Sequence, residues 1–137
     1  MSKKIRLGIL GGGGNSLIGV LHRIAANMFD KYEIVGGVFN PNFDENITFA
    51  KTIGLNSSRV YKDYETLISE ECKLDSSERM QAISVLTPNF LHYPMAKQLL
   101  ENDFHVICEK PLTISYQEAL DLKRIKEEKN AVFGVTH

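Results

Sequence analysis

The sequence predicts an α/β domain, a single parallel sheet covered by helices on both faces, and three observations carry that expectation. Short apolar runs alternate with segments of helical periodicity along the whole chain. Gly11-Gly12-Gly13-Gly14 follows directly on the first apolar run. Two later apolar runs stop at short polar stretches that hold a proline, Thr87-Pro88-Asn89 and Glu109-Lys110-Pro111.

Taken in order, residues 5–10 form an apolar run that stops at Gly11, which gives the first strand. Residues 17–27 carry Leu17, Ile18, Leu21, Ile24 and Ala25 at helical spacing. Residues 32–39 are rich in β-forming types and end at Asn40-Pro41, a second strand. Residues 43–53 read as a helix stopped by Gly54. Val60-Tyr61 is a short third strand, and Asp63 stands where it can cap the helix that follows. Residues 73–79 are polar and form a loop. Residues 82–86 make a fourth strand, broken by Thr87-Pro88.

A helix is expected over residues 92–101, with Pro94 in its first turn and Asn102 as its left-handed stop. Residues 104–108 are the fifth strand. Ser115 and Glu118 have the S-x-x-E spacing of a capping box, so a helix runs from there to about residue 129. Residues 132–135 close the series as a sixth strand. Six such strands in a doubly wound sheet take the order 3-2-1-4-5-6, with Gly11 and Thr87 at neighbouring strand ends. The order 2-1-3-4-5, or an antiparallel core, would contradict it.

Bulk properties set the frame. At 137 residues the chain is one domain, long enough to bury a core without disulfides or metals. A net charge of -1 gives no basic surface for nucleic acid or anionic membrane. Cys72 and Cys108 lie far apart, and Cys108 sits in an apolar run as a buried thiol would. The apolar start is too short for a signal peptide and is interrupted by Arg6, and no stretch approaches a membrane span. A cytoplasmic protein is expected, with neither membrane nor nucleic acid as a partner.

A strand, a glycine turn and a helix in succession make a diphosphate site. Glycine lets the backbone approach the anion, and the helix start offers unpaired N–H groups and positive dipole charge. Gly11, Gly13, Gly14 and Gly19 are the glycines concerned, with Leu17 and Ile18 at the helix start. Gly19 comes about three residues later than G-x-G-x-x-G would have it, so the loop bulges at Asn15 and Ser16. A flexible turn that binds nothing is the competing reading. Where such folds place an acid on the ribose hydroxyls, this chain has Asn40. Asn40 can bond a 2′-hydroxyl and does not repel a 2′-phosphate, so both NAD and NADP are open. A plain turn at Asn40-Pro41 is the alternative.

The pairing of Thr87-Pro88-Asn89, with His92 shortly after, and Glu109-Lys110-Pro111 at successive strand ends is specific. With the glycine loop, it resembles the N-terminal NAD(P)-binding Rossmann domain of the Gfo/Idh/MocA oxidoreductases, the family of glucose-fructose oxidoreductase and inositol dehydrogenase. The resemblance covers essentially the whole chain. The long loop from Gly11 to Gly19, with His22, looks like a branch of that family whose loop is extended. The missing acid after the second strand departs from the commonest pattern.

The resemblance implies a function and a set of roles. The parent activity is hydride transfer at a hydroxyl carbon of a sugar, polyol or related substrate. Thr87, Pro88 and Asn89 line the nicotinamide half of the cofactor, and His92 is counted with them, packing of its own helix being the competing role. Lys110 faces the reacting carbon as the catalytic lysine, where it can stabilise developing charge. Glu109 contacts ribose or orients Lys110. His22 is structural, and the bond before Pro111 is taken as trans.

Family members continue into a second domain that binds the small-molecule substrate, and the domain expected over residues 1–137 lacks it. The chain on its own is then inactive, and a homo-oligomer is open to it. A stand-alone dinucleotide-binding module is the alternative function. A methyltransferase explains the glycine turn but neither of the two later motifs.

Overall fold

The computed structural model describes residues 2–137. Its parallel sheet has five strands: β1 (Ile5–Gly11), β2 (Tyr32–Val38), β3 (Ala82–Leu86), β4 (His105–Cys108) and β5 (Phe133–Val135). They lie side by side in the order β2-β1-β3-β4-β5. The helices are α1 (Leu17–Asn27), α2 (Phe43–Thr52), α3 (Tyr64–Glu71), α4 (His92–Glu101) and α5 (Tyr116–Glu128).

Strand alternation sorts the core into faces. Ile83 and Val85 of β3 and Val106 and Cys108 of β4 share one cluster with Leu67 of α3, Leu99 of α4 and Leu122 of α5. The other face is served by α2, whose Ala50 meets Ile9 and Phe39, and by α1, whose Ala26 meets Leu7 and Ala82.

Side-chain caps start four of the five helices, α4 being the exception. Asp63 accepts the Thr66 N–H at 2.7 Å, as its place before α3 predicts. Ser115 and Glu118 close both bonds of the capping box at α5. Ser16 and Asn42 cap α1 and α2 in the same manner.

Three expectations are corrected. The third strand foreseen at Val60-Tyr61 is a single parallel bridge from Val60 to Gly37. Arg59 precedes it in a tight 3-10 turn and Lys62-Asp63 already opens α3, so too few residues are left for a ladder. By full strands alone the order therefore reads 2-1-3-4-5. The chain between β2 and β3 holds two helices, however, and Val60 sits between them on the outer side of β2. The laddered sheet therefore departs from the expected six-strand order, and the isolated Val60 bridge marks the place of the missing edge strand. The left-handed stop after α4 is Asp103, with φ 67, rather than Asn102, because Asn102 still donates its N–H back to Gln98 and Leu99. The Lys110-Pro111 peptide is cis.

Among the described residues no helix is long and apolar enough to cross a membrane.

Candidate dinucleotide site at the carboxyl ends of the strands

The glycine loop leaves the end of β1 and returns into α1 across very little space. A methyl group on Gly19 would fall 1.8 Å from the Gly12 carbonyl oxygen, so the close approach demands glycine there. The Ser16 hydroxyl accepts the Gly19 N–H at 3.1 Å. Arg23, one turn further along α1, donates to the Gly12 carbonyl at 2.8 Å, and its guanidinium lies 5.0 Å from the Phe49 ring centroid. The first turn of α1 has no acidic residue, which keeps its positive end open to an anion. Gly14, with φ 56, has nothing within 4 Å of where a Cβ would stand, so it faces open space.

Two openings flank this helix start. One is a groove of about 540 Å³ whose walls include Gly11, Gly12, Asn40, Thr87, Pro88 and Lys62. The Asn40 Oδ1 accepts the Asn42 N–H at 2.8 Å, turning the chain at Pro41 and leaving its amide nitrogen as the donor. The other is a cavity of about 420 Å³ whose walls include Ile18, His22, Ser84, Glu109, Lys110 and Thr136. A third opening, near Arg6, Glu33 and Arg59, lies at the amino ends of the strands, away from where sheets of this kind hold ligands.

Glu109 is the polar centre of the second cavity. Its Oε1 accepts from Thr136 at 2.6 Å and lies 3.0 Å from His22 Nε2, and its Oε2 accepts the Lys110 N–H at 3.2 Å. Burial alone would raise its carboxyl; the bonds from Thr136, His22 and the Lys110 N–H outweigh it and hold the group below the usual carboxylate value. Lys110 itself is exposed.

The structure thus gathers Gly11, Asn40, Thr87 and Pro88 in one groove and Ile18, Glu109 and Lys110 in the other, with Gly19 packed against Gly12 of the first. It leaves Leu17 out of either, 69% exposed. Gly13 turns towards Phe39, where a Cβ would meet the carbonyl oxygen at 2.6 Å. A valine at Gly13 would therefore push the loop away from β2, and its effect on a ligand could not be separated from that displacement. His92 is buried, its ring between the Thr87 and Pro111 carbonyls.

Two residues of this region escaped the sequence reading. Arg23 carries no motif beyond its place four residues after Gly19. Lys62 is remote from the end of β2 in sequence and arrives there through the Gly37–Val60 bridge.

These residues fit a dinucleotide. The loop offers backbone N–H groups at a helix start, and the Asn89 Oδ1 is buried with no hydrogen-bond partner among the described residues, an acceptor suited to a ligand donor. No cluster of three or more His, Cys, Asp or Glu residues that could hold a metal occurs among the described residues.

Comparison with known proteins agrees. The family described as "Oxidoreductase family, NAD-binding Rossmann fold" (GFO_IDH_MocA) matches residues 5–137. The chain is 34% identical to the uncharacterized oxidoreductase YfiI of Bacillus subtilis, covering 100% of this chain and 35% of that protein. It is 35% identical to glucose-6-phosphate 3-dehydrogenase of the same organism, over 89% of this chain and 30% of that protein. A crystal structure of an inositol dehydrogenase homolog from Azotobacter vinelandii, complexed with NADH and myo-inositol, superposes with a TM-score of 0.95 at 38% identity. That match covers 99% of this chain and 35% of the other. The chain belongs to the Gfo/Idh/MocA family of oxidoreductases, over the family's NAD-binding Rossmann fold.

Proposed function

We propose that this chain is the cofactor-holding part of an oxidoreductase that transfers hydride at a hydroxyl carbon of a sugar, polyol or related small molecule. The carrying observation is the convergence, around one helix start, of the glycine loop with the ends of β3 and β4. Gly11 and Gly14 give the diphosphate backbone N–H groups, and Gly19, whose own N–H bonds the Ser16 hydroxyl, lets the loop close on α1. Asn40 serves the adenosine ribose, with no carboxylate at Phe39-Asn40-Pro41 and with Lys62 as well as Asp63 and Glu65 lining the same groove, so NADP is accepted as well as NAD. Thr87, Pro88 and Asn89 wall the nicotinamide half. When bound, the nicotinamide supplies the hydride acceptor or donor. Lys110 donates to the substrate oxygen and stabilises charge that develops there. Glu109, held from three sides, orients the backbone of Lys110.

Substrate walls come from further polypeptide. The chain spans 35% and 30% of the two Bacillus relatives, and α1 presents Ile18, Leu21 and Ile24, 37%, 50% and 54% exposed, beside the uncovered side of β4. Parallel sheets are normally covered on both faces. A second domain over this surface completes the site, and the 137-residue chain alone binds cofactor without turning substrate over. The exposed Lys110 gives the second reading, a dinucleotide-binding module without catalysis, its specific support. The two free cysteines accord with a reducing, cytoplasmic setting.

The test is a polypeptide extended to the length of the relatives, supplied with NAD⁺ or NADP⁺ and a panel of polyols, sugars and sugar phosphates. Appearance of reduced nicotinamide with one class supports the reading. Cofactor binding without reduction across the panel supports the module instead.

A further inference from the structure

His92 opens α4 and is 1% exposed. Its Nδ1 lies 2.8 Å from the Pro111 carbonyl oxygen and its Nε2 lies 2.8 Å from that of Thr87. Those carbonyls belong to the loops that close β4 and β3, which are adjacent parallel strands. Thr87 walls the groove on one side of α1, and Lys110, next to Pro111, walls the cavity on the other. A rigid imidazole between two loops is a spacer of fixed length. Carbonyls only accept, so a ring with one N–H holds one loop and a ring with two holds both.

The helix does not depend on this ring for its seat. Met95, Ala96, Leu99 and Leu100 of α4 are all buried in the main core. The hydrogen bonds of His92 run instead to the two loop ends that face the site. The unpartnered Asn89 Oδ1 lies in the same turn of chain, between Thr87 and His92.

We propose that His92 is a positioning residue for the nicotinamide half of the dinucleotide. Standing between the Thr87 and Pro111 carbonyls, it sets the separation between the Thr87-Pro88-Asn89 loop and Lys110, and it makes no contact with the cofactor itself. This rests on the dinucleotide reading above. The adenosine and diphosphate contacts come from the glycine loop and Asn40, which His92 does not touch, so its loss falls on one half of the ligand only.

The experiment titrates the wild-type chain, His92→Ala and His92→Gln with NADH and with ADP-ribose, which lacks the nicotinamide, while circular dichroism monitors the fold. The wild type binds NADH more tightly than ADP-ribose. His92→Ala loses about tenfold in NADH affinity, as expected for loops released by the loss of a buried hydrogen-bonding group, and keeps its ADP-ribose affinity within about twofold. His92→Gln, which retains one donor, recovers part of the NADH affinity. Equal loss for both ligands, no loss for either, or a wild type that binds the two alike overturns the proposal. Unfolding of both variants makes His92 a core residue and also overturns it. A wild type that binds neither ligand fails the dinucleotide reading itself, a result distinct from all of these.

Discussion

His22 Nε2 lies 3.0 Å from Glu109 Oε1, which ties the helix that begins at the glycine loop to the strand end that carries Lys110. The two side chains are only 16% and 14% exposed, so the pair is worth more than a surface ion pair. A double-mutant cycle of His22→Ala and Glu109→Gln, read by urea unfolding, should give a coupling of about 1–2 kcal/mol. Additive single effects would show that the contact contributes nothing.

The same pair sets a pH dependence. Glu109 is held below the usual carboxylate value in the folded chain. Its contribution to stability is therefore fully present above the carboxylate's ordinary unfolded value. It is lost as the pH falls through the lowered folded value. The melting temperatures of wild type and Glu109→Gln should differ at neutral pH and converge in acid. A gap that persists unchanged into acid would contradict the assignment.

Glu71 should be the costliest single carboxylate to remove. It is wholly buried and accepts from Arg59 at 2.5 and 3.1 Å, from the Tyr61 hydroxyl at 2.5 Å and from the Met80 N–H at 2.8 Å. Glu71→Ala leaves a guanidinium and a backbone donor without their partner, and should cost about 3–5 kcal/mol in urea unfolding. A loss below about 1 kcal/mol, the range of an exposed pair, would contradict this account.

That residue also shows where the sequence stops being legible. Strand and helix periodicity, the Asp63 cap and the Ser115–Glu118 box are local, and the structure realises each of them. Glu71 reads in sequence as one more helical surface acid, since its partners come from Arg59, Tyr61 and Met80, on other segments of the chain. Lys62 and Arg23 escape for the same reason, Lys62 being brought to the groove by a strand bridge and Arg23 to the Gly12 carbonyl by a helix turn. The strand foreseen at Val60-Tyr61 shrank because its apolar signal is only those two residues wide, between the turn at Arg59 and the cap at Asp63. In contrast, Glu109-Lys110-Pro111 and Thr87-Pro88-Asn89 are readable as candidates because each closes a strand, and parallel sheets place ligands at that end.

Gly14 separates charge from shape. Its φ of 56 is a conformation that Asn and Asp both tolerate, and its Cβ direction is open. Gly14→Asp places a negative charge on the loop that faces the diphosphate and should weaken NADH binding by about tenfold, whereas Gly14→Asn should stay near wild type. Calorimetric titration reads both. Equal affinities for the Asp and Asn variants would remove the diphosphate from this loop.

Lys110 should matter to rate and little to cofactor affinity. In a polypeptide that carries the substrate domain, Lys110→Ala should lower kcat by about a hundredfold or more and leave NADH affinity within about threefold, as expected for a group acting on developing charge. An unchanged kcat would sink that role.

Whether the carboxyl ends of β1 and β3 hold a dinucleotide is tested most directly by calorimetric titration of the 137-residue chain with NADH and NADPH. Saturable one-to-one binding, displaced by ADP-ribose and weakened in Gly14→Asp, is the expected result. A chain that is folded by circular dichroism and gives no saturable heat with either nucleotide would contradict it.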